Sequence, residues 1–314
     1  MRRLLTIIPS AVLLLALLLL ASACEEYVPE AVPGEGRLRI GAGLYGATKG
    51  TLLGSVPDQF SVWGYVWPDT GAMTTPQWMC GETFTKDGTA WYSALPHGNI
   101  PQDYSIRLWA VAPVAPSGVT SLPLAATSGT PSFSMITPSD VASQQDLITA
   151  YGAVCDEQPA TFPLVFRHVL TCVLFRTSET NVPACTLNSI TLSGVRNEGT
   201  YTEGSDWGSL SGLASFSITP SQALTPSDTD IFIGTSEMAM VLLPQTLPAG
   251  ALLTVNYTQD ALPRTLTADL SGLELPIGCK VVLRLEFPST GGGELTVTVT
   301  ANPWSAGYET TLTM

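Results

Sequence analysis

Short runs of alternating apolar and polar residues recur along the chain, and they are rich in β-branched and aromatic side chains. The clearest are 59–67 (QFSVWGYVW), 104–111 (YSIRLWAV), 164–176 (LVFRHVLTCVLFR) and 295–300 (LTVTVT). Period-two alternation sends successive side chains to opposite faces of a strand, and the Gly, Pro, Asp and Ser clusters between the runs mark turns. Segments such as 127–132 (TSGTPS) break any helical period, and beyond the N-terminus no stretch holds a 3.6-residue repeat for three turns. The pattern predicts an all-β protein.

About seven candidate strands precede the Gly-rich stretch 197–208 (NEGTYTEGSDWG), near 38–45, 59–67, 89–93, 104–112, 146–151, 163–176 and 187–196. About seven follow it, near 213–219, 229–233, 237–243, 251–258, 264–270, 279–287 and 294–301. Seven short strands in roughly 100–150 residues is the content of one β-sandwich domain. The expectation is two tandem seven-stranded sandwiches, immunoglobulin-like or transthyretin-like, over 24–200 and 201–314, with a boundary nearer 160 as the alternative. Patterning does not separate the two topologies.

The N-terminus is of a different kind. Arg2 and Arg3 precede the apolar run 11–20, which ends at Ala21-Ser22-Ala23-Cys24. Ten apolar residues are too few for a membrane span, and the arrangement reads as a signal peptide over 1–23. Small residues directly before Cys24 resemble a lipobox, with Ala21 where Leu is usual, and make Cys24 the candidate lipidated terminus. An ordinary secretory cleavage after Ala23 is the alternative. Glu25 and Glu26 resemble the surface-export signal of Bacteroidales lipoproteins, which places the protein on the outer face of the outer membrane. Two or more acyl chains on Cys24 suffice for a stable anchor.

Composition narrows the function. With 45% hydrophobic and 12% charged residues among 314, and a mean hydropathy of +0.26, the chain buries a core rather than remaining disordered. Its net charge is −13, and the 13 Lys and Arg are scattered, so it offers no basic stripe to a nucleic acid. Loss of 1–23 removes Arg2 and Arg3 and no acid, leaving 11 basic against 26 acidic residues, a net of −15. With Cys24 acylated, the other thiols are Cys80, Cys155, Cys172, Cys185 and Cys279, an odd number without CxxC spacing. Neither a zinc framework nor a dense disulfide scaffold is expected, and no pairing follows from the sequence.

Candidate chemistry is sparse. His97 sits in a turn context, Pro96-His97-Gly98. His168 lies inside the run 164–176 and shares a face with Cys172, but four strand residues put the two ~13 Å apart, too far for a dyad or a shared metal. A buried His168 satisfied by a partner is the expectation. No GxSxG, HExxH or P-loop pattern occurs, Gly291-Gly-Gly293 reads as a hairpin turn, and Asp228 and Asp230 lack the glycine-centred spacing of a calcium loop. We expect no enzyme, no cofactor and no metal. Trp63, Tyr65 and Trp67 alternate on one face of a strand whose other phase holds Phe60, Val62 and Val66. Exposed, that row could stack on sugar rings or a protein; buried, it is core.

Several stretches carry a family resemblance. Phe60-Ser-Val-Trp-Gly-Tyr65 is similar to the early aromatic strand of the fimbrillins, the lipoprotein subunits of type V pili. Asp146-Leu147 followed by 163–170 (PLVFRHVL) is similar to their "DL … L-x-F-x-H-x-L" signature. The runs 190–195 (ITLSGV) with Gly199 and Thr200, 240–245 (MVLLPQ) with Leu247, and 295–304 resemble later strands of that family. Their order and spacing span about 280 residues.

The resemblance implies a mechanism. In fimbrillins a trypsin-like protease removes the first strand after export, and a strand of the next subunit fills the groove by β-strand addition. The displaced strand here would be 38–45, with Leu38, Ile40 and Leu44 as its apolar positions. Thr48-Lys49-Gly50-Thr51 resembles the family's Thr-Arg-x-Thr processing site with Lys49 in place of Arg; Arg37 and Arg39 are alternatives that would remove little of the strand. The tail 308–314 (YETTLTM) alternates enough to be a last strand or a short donor. The implied function is a structural or adhesive subunit, tip or accessory, of a type V fimbria at the cell surface, its partners being other pilin subunits, the outer membrane through the lipid, and a surface receptor or glycan. A non-polymerising lipoprotein that binds glycan or protein is the rival reading, and it needs an exposed Trp63, Tyr65 and Trp67 row.

Overall fold

The computed structural model describes residues 37–45, 55–68, 77–97, 104–121, 131–154, 161–288, 294–304 and 311–312. Strands β1 (Arg37–Leu44), β2 (Gln59–Pro68), β3 (Gln77–Asp87), β4 (Ala90–Pro96) and β5 (Tyr104–Ala112) come first. They are followed by β6 (Val119–Ser121), β7 (Ser132–Ile136), β8 (Ile148–Val154) and β9 (Phe162–His168). After two residues the chain continues into β10 (Thr171–Thr177), β11 (Cys185–Val195), β12 (Glu198–Thr202), β13 (Trp207–Ser211), β14 (Ala214–Ile218) and β15 (Gln222–Leu224). The remaining strands are β16 (Met240–Leu242), β17 (Gln245–Thr246), β18 (Leu252–Gln259), β19 (Leu262–Asp269), β20 (Glu274–Leu275), β21 (Cys279–Glu286), β22 (Thr296–Pro303) and β23 (Thr311–Leu312). Among the described residues the only helices are single 3-10 turns at Val141–Ser143 and Ser236–Met238.

The all-β expectation is met, but the expected pair of tandem seven-stranded sandwiches is not what forms. Seven strands close into a barrel in the order β1-β4-β3-β2-β5-β8-β9, with β1 and β9 pairing in parallel to complete the ring. Its inner phase is Leu38, Ile40, Phe60, Val62, Phe84, Ile106, Leu108, Leu164 and Phe166, all at or below 2% exposure. Two further sheets, β16-β10-β21-β22-β23 and β14-β11-β18-β19 with β15 on β11, share one core, to which Phe175 and Leu283 contribute from the first and Ile190 and Val255 from the second. That part is a sandwich of two five-stranded sheets.

A fourth sheet, β13-β12-β7-β6, draws strands from both sides of residue 170. It accounts for a strand that is apolar on both faces. Phe60, Val62 and Val66 of β2 fill the barrel, whereas Trp63 and Tyr65 point outward into a second cluster with Trp109 of β5 and with Phe133, Tyr201 and Trp207 of the covering sheet. The rings pack at 5.1 Å between Trp63 and Trp109, 5.2 Å between Phe133 and Tyr201, and 5.7 Å between Phe133 and Trp207. Such tilted aromatic contacts each add about 0.5–1.5 kcal/mol beyond area burial.

Two details of the sequence reading change as well. The run 163–176 is not one strand: β9 ends at His168 in the barrel and β10 starts at Thr171 in a different sheet. The Gly-rich stretch 197–208 is not a connector, since it forms the β12 and β13 hairpin with its turn at 203–206. The side-chain amide of Gln245 secures the chain nearby: Arg196 N–H donates to its Oε1 at 3.0 Å and its Nε2 donates to Arg196 O at 2.9 Å, so a buried amide stands in for a strand partner.

Cys80, Cys172, Cys185 and Cys279 form no disulfide with one another, and Cys155 lies outside the described residues. Burial pushes the Cys172 and Cys279 thiols up, and that of Cys185 up to about 11. Because the thiolate is the reactive form, DTNB at pH 8 is expected to label exposed Cys80 in the native protein and to reach buried Cys172 and Cys185 only in denaturant. Mass spectrometry of labelled peptides checks the order; native labelling of Cys172 as fast as Cys80 would contradict the packing.

Candidate functional site

The first strand is built as a removable stave. Alternate residues of β1 point inward: Leu38 and Ile40 are buried, and half-buried Ala42 and Leu44 pack against the same barrel core, while Arg37, Arg39 and Gly43 are exposed. β1 is bonded on both edges. It runs antiparallel to β4, with Arg39 opposite Tyr92 and Ile40 opposite Trp91, and parallel to β9 from Ile40 opposite Phe162 to Leu44 opposite Phe166. An irregularity between Arg37 and Arg39 is bridged by Ser93, whose Oγ accepts from Leu38 N–H at 3.0 Å and donates to Leu95 O at 2.7 Å. Beyond the strand, Tyr45 N–H still donates to Phe166 O at 2.8 Å.

Without β1, the facing edges of β4 and β9 would expose unpaired backbone groups above a floor that includes Phe60, Trp91 and Phe166. Those rings lie 5.8 Å (Phe60 to Trp91) and 5.0 Å (Phe60 to Phe166) apart. A long apolar groove with open edges invites another strand. Of the inward residues of β1 only Ala42 is small, and the outward Gly41 and Gly43 weaken it as a strand, since glycine is a poor strand residue. A Cβ at Gly43 would meet nothing within 4 Å.

The candidate site residues distribute unevenly. Cys24 and Lys49 lie outside the described residues, as does the Gly291–Gly293 turn. Arg37 and Arg39 expose their side chains, yet their backbone belongs to a strand paired on both sides, where a protease needing an extended, accessible segment would have to peel β1 away first. Trp63 is 2% and Tyr65 0% exposed. Under the sheet that carries Phe133 and Trp207 these two are core, so the stacking surface expected as one of two readings does not form there. Trp67 pairs through its backbone with Ser105; its side chain is outside the described residues. β23 pairs with β22 of its own chain, with Leu312 opposite Val299, so the described part of the tail, Thr311 and Leu312, is an edge strand of its own sheet.

One pair was half visible in the sequence. His168 Nδ1 lies 2.8 Å from Asp146 Oδ2 with both side chains at 3% exposure or less, and the imidazole stacks on Trp304 at 4.2 Å and 3°. Asp146 belongs to the segment entering β8, His168 ends β9 and Trp304 follows β22, so the cluster clamps the barrel to the C-terminal sheets. Around it, Val169 N–H donates to Leu147 O, Gly278 N–H to Leu170 O and Trp304 N–H to Gly278 O. His168 is thus buried and satisfied by a partner, as expected; the spacing of Asp146 and His168 gave no sign that they meet. Cys172 packs with Ala239 and the same Trp304 rather than against the imidazole. Among the described residues no three His, Cys, Asp or Glu side chains gather as a metal site.

No curated protein matches the chain. Among solved structures, a fimbrial protein from Bacteroides vulgatus superposes with a TM-score of 0.60 at 17% identity, covering 86% of this chain and 100% of that one. A candidate cell adhesion protein from Bacteroides ovatus superposes with a TM-score of 0.54 at 15% identity, covering 85% and 96%. At such identities the likeness is one of fold. The sequence profile of the family described as fimbrillin-like matches residues 48–304, from the segment after β1 to the tryptophan stacked on His168, and the chain therefore belongs to the fimbrillin-like family.

Proposed function

We propose that the chain is a subunit of a surface fimbria, exported as a lipoprotein through Cys24, which loses β1 by cleavage at Lys49 and accepts a strand from a neighbouring subunit in its place. One observation carries the reading: the stave that closes the barrel is also the first strand among the described residues. A single cut in the connection between Tyr45 and Ser55 would free it, whereas any other stave would need two. The vacated site offers main-chain partners on both edges and an apolar floor with alternating side-chain positions, the elements that give a donated strand affinity and register. Because Ala42 is the one small residue in the inward phase of β1, a donor with a larger residue there would gain burial of about 0.8 kcal/mol for each added methylene. The match to a fimbrial fold supports the same assignment.

The role is structural or adhesive, without catalysis, at the cell surface. A tip or accessory position is favoured because β23 completes an edge of its own sheet and is not held out for another subunit. The non-polymerising glycan- or protein-binding alternative loses Trp63 and Tyr65, two of the three aromatic residues of the row on which it rested.

The test is N-terminal sequencing of the mature protein recovered from cells and from assembled fibres, with and without trypsin. A terminus at Gly50 and loss of the acylated fragment are expected. Acylated Cys24 persisting in assembled fibres would overturn the strand-replacement route.

A further inference from the structure

A cleft of about 1020 Å³ opens where three sheets meet, between the outer face of β8 and β9, the turn of the β12 and β13 hairpin, and the segment entering β21. Clefts at such junctions, at the upper end of the roughly 300–1,000 Å³ usual for ligand sites, hold most small-molecule ligands. The outward aromatic residues Trp63, Tyr65 and Trp109 are covered by the fourth sheet, but on this wall Tyr151 is 40% and Val165 51% exposed. Tyr151 is held in place by the Arg107 guanidinium, which lies 5.5 Å from its ring centroid.

The hairpin turn presents Glu203. Its Oε2 accepts from Trp109 Nε1 at 2.7 Å and from Tyr201 OH at 3.5 Å, which fixes the half-buried carboxylate on the cleft floor. Its Oε1 has no donor among the described residues. On β9 the exposed guanidinium of Arg167 lies at the cleft, 5.6 Å from the Tyr45 ring centroid. The lining is therefore an accessible ring, a fixed acceptor with an unused oxygen, and a donor.

We propose that this cleft binds a neutral hexose-containing glycan. One face of a pyranose is a patch of C–H groups that stacks on an aromatic ring, while its hydroxyls donate to a carboxylate and accept from a guanidinium. Neither charged class fits as well. An acidic sugar would meet Glu203 and the neighbouring Asp206 on a chain of net charge −13, and a cationic ligand would meet Arg167. Cleavage at Lys49 would take Tyr45 from the rim together with β1, but Tyr151, Arg167 and Glu203 lie on strands and a hairpin that remain, so the inference goes beyond strand replacement.

The test uses the full chain with maltotriose, mannotriose, galactotriose and sialyllactose, read by saturation-transfer NMR and calorimetric titration. At least one neutral trisaccharide is expected to bind with a dissociation constant in the millimolar range or tighter. Tyr151→Ala and Glu203→Gln are each expected to weaken it about tenfold or more, since a hydrogen bond to a charged group or a stacked ring is worth that much; Leu262→Ala, away from the cleft, is expected to bind as the parent does. Thermal unfolding of each variant separates lost binding from lost folding, and Glu203→Gln retains an acceptor for Trp109. Absence of binding to every neutral trisaccharide, preference for sialyllactose, or undiminished binding in both folded variants would each overturn the proposal. Fibres that assemble normally while binding none of these sugars would sink this inference alone.

Discussion

Ile40→Asp is expected to unseat β1 and to destabilise the barrel by more than about 4 kcal/mol. Ile40 is fully buried in the cluster that holds Phe60 and Phe166, and losing its side chain alone costs about 2–5 kcal/mol. A carboxylate in its place adds a desolvation penalty of several kcal/mol, with no Lys or Arg among the described residues of the barrel core to offset it. Against a total stability of about 5–15 kcal/mol, the cheapest response is for the strand to leave while the other six staves stay joined. Amide hydrogen exchange should then rise in β1 and along the facing edges of β4 and β9, and trypsin should cut at Arg37, Arg39 and Lys49 more readily. Arg39→Asp, one residue away on the exposed side, is expected to change stability by no more than about 0.5 kcal/mol. Equal protection of β1 in Ile40→Asp and the parent would refute its role as a core stave.

The second large effect is expected at the clamp between barrel and sandwich. Asp146→Ala removes the only acceptor of the buried His168 ring that the structure shows, at a cost of about 2–3 kcal/mol, limited because Asp146 Oδ1 is itself without a hydrogen-bond partner. For a chain of this size that corresponds to a fall in Tm of roughly 4–12 °C. Asp146→Asn keeps an oxygen for the imidazole and should recover part of the loss. Differential scanning calorimetry measures both, and an Asp146→Ala protein as stable as the parent would show that the Trp304 stack alone holds the junction.

Strand existence was legible in the sequence because period two survives in β9, where Phe162, Leu164, Phe166 and His168 are buried and the residues between them exposed. Partnership was not. Nothing in alternation tells β1 that its neighbours are β4 and β9, or that the second pairing is parallel, since inward residues look the same under either. The two apolar faces of β2 suggested a sandwich interior, whereas the physical cause is a barrel wall roofed by a separate sheet. The run 164–176 stayed hydrophobic through Val169 and Leu170 because both residues are buried at the crossing between bodies, so the break carried no polar mark. The cleft was hidden for a related reason: Glu203 sits in a Gly-rich hairpin that reads as a spacer, and its neighbours Tyr151 and Arg167 are distant in the chain.

The crossing itself has a mechanical meaning. Flexible linkers let tethered domains swing and absorb extension before any folded part feels a load. Here β9 gives way to β10 after two residues, Val169 and Leu170, both buried and both bonded through their backbones to the surrounding elements. A pull on the barrel would reach an interior strand of the next sheet with no slack in between, and it would be borne by the interstrand bonds of β10 to β16 and β21 together. Such a chain behaves under tension as a stiff rod segment rather than as beads on a string.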